Sequence, residues 1–200
     1  MSDSNGKSIL FAIRQVRTLM VEVSKLLLEA DAIMGVAGWG SRVGTTALAG
    51  GAFSINSPKN WIPHRVFRFY KHDEHPKLVL SLAVILDEQG ADQKVVEPLV
   101  SGLVMEYESV DEIPEGNALY NTAIWHLFVP ERRDDGTIVT VVPRELWETE
   151  STARTMRSFA VPLVSISNRE QLDETVVSTL LRMVDDAPVI EGRSAAAQSK

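Results

Sequence analysis

The 200-residue chain has no cysteine. Disulfides, thiolate zinc sites, iron–sulfur clusters and cysteine nucleophiles are therefore excluded. Long apolar runs are also missing. The longest nearly apolar stretch, residues 78–86, is interrupted by Ser81 and is about half of the ~20 residues that a membrane helix requires. Near the start of the chain, Arg14, Arg17, Glu22 and Lys25 break up the apolar residues that a secretory signal would keep together. A cytoplasmic protein with no membrane partner is the resulting expectation. Basic residues are outnumbered, 20 to 27, for a net charge of −7, which disfavours a generic nucleic-acid coating protein.

The remaining composition is that of a folding chain, with 44% hydrophobic and 24% charged residues. Ile9, Ile13, Val16, Met20, Val23, Leu27, Ala30 and Met34 recur at alternating spacings of four and three. That is a heptad stripe on one helix face. Leu10, Leu19, Leu26 and Ile33 widen it, and Gly35 is placed to stop the helix. The predicted helix spans residues 7–34 and is ~42 Å long. It either lies across the chain's own sheet or pairs with a helix from a second copy or another protein. Residues 1–36 are accordingly set apart as a possible assembly element. Residues 37–190 form the core domain, and 191–200, small and polar, are expected to be disordered.

Six of the twelve glycines fall in residues 35–57, which predicts a loop with one short element near 45–49. The hydrophobic period then shifts toward two. Strands are predicted over 65–71, 78–86, 99–107, 119–129 and 137–142, joined by connections mostly too short for parallel crossovers. A helix is predicted after Pro143, with Leu146, Trp147, Ala153 and Met156 on its apolar face. A strand over 159–166 follows. Ser167-Asn168-Arg169-Glu170 reads as a capping box opening a final helix to about residue 184. The fold class is therefore α+β, with a long N-terminal helix and two C-terminal helices packed on a mainly antiparallel sheet of about five or six strands.

Charge is unevenly distributed. Residues 42–72 hold five bases and no acid, whereas 78–116 hold one base, Lys94, against nine acids. Either opposite charges face one another across paired strands, or the surface is bipolar and orients an anionic ligand or a protein.

Three site hypotheses follow. His64, His72, Asp73 and His75 carry imidazole and carboxylate groups that suit a divalent transition metal, although the helical His-Glu-x-x-His pattern is absent. Arg42, Lys59, Trp61, Arg65, Arg68 and Lys71 interleave bases with aromatics, as an anion or single-stranded nucleic-acid site would. The stretch from Gly38 to Thr46 fails both the Walker and the dinucleotide-loop patterns. It leaves a connector, or an anion-contacting lid with Arg42. No Gly-x-Ser-x-Gly motif occurs, and the acids Glu106/Glu108 and Asp111/Glu112 fit a solvated strand end as well as acid–base chemistry.

The leading expectation is a non-catalytic cytoplasmic protein–protein assembly module. Its contact element would be the eight-residue heptad face, meeting a protein partner or a second copy. The alternatives are a metal- or phosphate-dependent hydrolase or nucleotide-binding protein, and a nucleic-acid-associated subunit acting through 42–72. Whether the chain is an enzyme, and which cofactor it would use, stay open at this level.

Overall fold

The computed structural model describes residues 3–49, 62–87, 97–126, 138–142 and 153–185. The chain opens with α1 (Asp3–Val36), followed by the two-residue strands β1 (Gly40–Ser41) and β2 (Leu48–Ala49). Next come β3 (Arg65–Lys71), β4 (Leu78–Ile85), β5 (Leu99–Tyr107), a 3₁₀ turn (Val110–Glu112) and α2 (Gly116–His126). After β6 (Ile138–Val142) and β7 (Ala153–Pro162), a helical run over 169–185 closes the described chain. It consists of α3 (Arg169–Gln171), a π segment (Leu172–Val177) and α4 (Ser178–Asp185).

The strands form one antiparallel sheet in the order β1-β3-β4-β5-β7-β6, with β2 also pairing β3. The architecture is α+β, as the sequence indicates. Alternation along the strands sends successive side chains to opposite faces. One face carries Tyr70, Leu80, Leu82, Val84, Val100 and Val104 against the second half of α1 and the 169–185 run. The other carries Phe67, Phe69, Val79, Leu103 and Met105 beneath Leu119, Tyr120 and Ala123 of α2. With apolar cover on both faces, β3 and β4 are buried along nearly their whole length.

Several expectations are corrected. The segment expected as a strand over 119–129 is the helix α2 through His126. Leu119, Tyr120 and Ala123, at i, i+1 and i+4, form one buried face. Packing of Tyr120 edge-on to Phe67 overrides the β-propensity of its neighbours. Ala153 and Met156 are not on a helix face. They belong to β7, opposite Tyr107 and Met105, and the expected strand over 159–166 ends at Pro162. The rest of the expected helix after Pro143, the 127–129 end of the expected strand and the 191–200 tail lie outside the described residues.

Gly35 does not stop α1. The helix runs to Val36, and Gly38 takes the left-handed turn at φ +83°, with Trp39 N–H bonded back to the Met34 carbonyl. The capping box is shifted by one residue. Asn168, not Ser167, accepts from the Gln171 N–H at 2.9 Å, and the Gln171 side chain accepts from Ser167. Opposite charges do not face one another between β3 and β4, because Arg65 sits opposite Ile85 and Arg68 opposite Leu82.

Candidate functional site

The geometry of α1 follows from two lengths. Its 34 residues span ~51 Å at 1.5 Å per residue. The longest described strand of the sheet, the ten-residue β7, spans only ~34 Å. A straight helix running along these strands overhangs them by at least ~17 Å, or about eleven residues, and the burial of its side chains puts the limit further in. The seam divides accordingly. Val23, Leu27, Ala30 and Met34 are buried in the chain's own core. Val16 and Met20 are half-buried, while Ile9 and Ile13 are 56% and 45% exposed. The eight-residue face is therefore two surfaces, and the boundary between overhang and domain falls near Glu22, not at residue 36.

The overhang is apolar beyond the seam. Leu10, Phe11, Leu19 and Val21 are all exposed. Between Gly6 and Val21 the only charges are Lys7, Arg14 and Arg17, so this part of an acidic chain is basic. Where the helix enters the domain, a cleft of about 290 Å³ lies between α1 and the start of the C-terminal helical run. Leu19, Val23, Leu26, Leu163, Ile166 and Leu172 supply its apolar wall, and Glu22, Lys25, Glu29 and Arg169 lie on its polar side. Arg169 donates to Glu29 at 2.9 Å and Lys25 to Glu22 at 2.9 Å.

The histidines do not converge. His72 and His75 are neighbours in the β3–β4 hairpin, their ring centroids 5.2 Å apart, and His75 stacks on Trp39 at 5.9 Å. His64 stands before the other end of β3, eight residues or ~26 Å from His72, where it faces Asp87 at 3.7 Å. His72 Nδ1 is taken by the Glu74 N–H at 3.1 Å. Among the described residues, no group of three or more His, Asp or Glu side chains could hold a metal ion. The proposed set of His64, His72, Asp73 and His75 is therefore corrected to a two-histidine hairpin that packs on Trp39.

The basic set is dispersed as well. Lys59 and Trp61 lie outside the described residues. Arg68 is 3% exposed and not available to an external anion. Its Nε donates to Asp31 Oδ1 at 3.0 Å, and a second nitrogen pairs with Oδ2. The same guanidinium donates to the carbonyls of Gly44 and Thr46. Tyr70 also donates to Asp31, at 3.0 Å. Burial first, then the Asp31 carboxylate, pushes the Tyr70 pKa well above its ordinary value, with Arg68 opposing. Arg65 is partly buried, which lowers its pKa, while nearby Tyr120 works in the opposite direction. Lys71 is exposed at the strand end, and Arg42 is half-buried with its N–H on the Phe69 carbonyl. The glycine-rich stretch is thus pinned to β3 by Arg68 over 44–46 and does not form a free lid.

Asp31 is the residue that the sequence analysis missed. Its carboxylate accepts from both Arg68 and Tyr70, which makes it a tether between α1 and the sheet. A signal for it exists in the sequence: an acid near a helix C-terminus opposes the helix dipole, so it needs a cationic partner. No helix among the described residues is long and apolar enough to cross a membrane. No protein-family model, no curated protein and no solved structure matches the chain.

Proposed function

We propose that this chain is a non-catalytic protein–protein assembly module whose contact element is the overhanging half of α1. The supporting observation is the exposed apolar face of Ile9, Leu10, Ile13 and Leu19, with Phe11 and Val21 exposed elsewhere around the same turns, on a helix that outruns its own sheet. Singly exposed apolar residues are ordinary, but a contiguous apolar patch on a helix marks an interaction surface. The reading is also supported by the commitments of the other candidates. Arg68 and Asp31 satisfy one another, and the histidines do not form a cluster with His64.

The test is sedimentation of the intact chain beside an Ile9→Glu/Ile13→Glu variant, with pull-down of partners by both. Both positions are exposed, so the domain's thermal midpoint should hold within about 2 °C while association is lost. An intact chain that stays monomeric and captures nothing that the variant fails to capture refutes the proposal.

A further inference from the structure

We infer that the occupant of the overhang is a second copy of this chain, lying antiparallel, so that each overhang closes against the other. This rests on the assembly reading above and commits it to one partner and one orientation. The seam itself excludes a parallel pair. α1 continues as one helix from Ile9 to Met34, and beyond Met20 its seam is buried against the sheet. A parallel, in-register second helix would have to run past Met20 into the volume already filled where Val23, Leu27 and Ala30 meet the strands. An antiparallel helix with Ile9 opposite Met20 limits this overlap to residues 3–8 beside residues 21–26, and its own domain lies off the far end.

Side-chain layering fits this orientation. With Ile9 of one copy opposite Met20 of the other, Ile13 falls opposite Val16, so each layer pairs the two kinds of heptad core position. The flanks add Leu10 and Leu19. These four exposed residues on each copy (Ile9, Leu10, Ile13 and Leu19) leave roughly 80 Å² per side chain uncovered. Two copies thus bring roughly 600 Å², before the half-buried Val16 and Met20 and the cleft walls raise the total toward the ~1,000 Å² of a specific interface. Lys7 and Arg14 fall at heptad positions on the side of the helix away from this seam, so the like charges of the overhang do not oppose the pairing and the apolar layers carry it.

Because the chain has no cysteine, single thiols can report the orientation. An Ile9→Cys chain and a Met20→Cys chain are each confirmed to fold by their thermal midpoints. They are then oxidised separately and mixed, and the mass of the intact chain is measured by light scattering. The expected result is a dimeric mass and a disulfide-linked species in the mixture only. In the antiparallel pair, like positions stand ~16 Å apart along the axis, beyond disulfide reach. Efficient linkage of Ile9→Cys to itself, or no linkage in the mixture, overturns the orientation. A monomeric intact chain overturns the second copy as occupant but leaves the overhang open to a different protein. A dimer that survives Ile13→Glu instead overturns the overhang as the contact element.

Discussion

Truncating Asp31 to alanine should be among the most damaging single changes in the helix, even though the residue is not part of the apolar stripe. The carboxylate neutralises Arg68, whose side chain is only 4% exposed, and it also accepts from Tyr70. Its loss leaves a guanidinium in the interior without its carboxylate, held by the Gly44 and Thr46 carbonyls. Breaking one side of a buried pair costs ~3–5 kcal/mol, because the remaining charge stays desolvated. For a chain of this length that corresponds to a fall of about 6–20 °C in thermal midpoint. Arg68→Met should cost less, ~1–3 kcal/mol, because Asp31 is 25% exposed and water can reach it. In the double variant Asp31→Ala/Arg68→Met, no charge remains stranded, so its cost should fall well below the sum of the two single costs. Urea unfolding of all four proteins, read as a double-mutant cycle, gives the coupling directly. Additive costs, or an Asp31→Ala loss below about 1 kcal/mol, would refute the tether.

Two other outcomes follow from the packing. Gly102→Ala should destabilise by about 1–3 kcal/mol on urea unfolding, because its methyl group would overlap the Phe159 ring with Leu180 behind it; an unchanged midpoint would show that Phe159 has room to move. Alkaline pH should unfold the chain. Burial raises the pKa values of Tyr70 and Tyr107 above the ordinary 10.0, so their contribution is fully present below pH 10 and is lost as pH rises, by up to ~1.4 kcal/mol per pH unit for each. Urea midpoints between pH 9 and 11.5 should fall accordingly, and Tyr70→Phe should flatten the slope; a midpoint that does not change with pH would contradict the assignment.

Those features of the fold that depend on period were legible in the sequence. The stripe from Ile9 to Met34 gave the helix, and the dense apolar content of residues 65–71, 78–86 and 99–107 gave three adjoining antiparallel strands. The errors arose where local preference and tertiary packing conflict. Residues 119–126 combine β-forming side chains with an i, i+1, i+4 burial pattern, and the Phe67 contact decides for helix. The histidine hypothesis failed for a reason of length: His64 and His72 are close in number, but a strand runs between them and an extended chain separates its ends. Arg68 looked like a surface base because sequence alternation gives a residue's face, not its depth. Asp31, 37 positions away, is what allows it to be buried.

The seam could be read as a single surface only while the size of the sheet was unknown. A heptad stripe does not distinguish a partner from the chain's own strands, since both require the same apolar spacing. Burial makes that distinction, with Val23, Leu27, Ala30 and Met34 covered and Ile9 and Ile13 exposed on a helix of ~51 Å that outruns strands of ~34 Å. It assigns the C-terminal half of the stripe to the core and leaves the N-terminal half without cover. That half is poorly suited to stand alone. It carries Gly6 and the β-branched Ile9, Ile13, Val16, Thr18 and Val21, all of which lower helix propensity. Isolated helices of about this length are marginal in water even with favourable composition. Nucleation is supplied by the docked half, so the overhang can propagate from it, but its outer turns have little to hold them. Burial of the exposed isoleucines and leucines against another helix would supply the missing stabilisation, so association and helicity of residues 6–21 should rise and fall together.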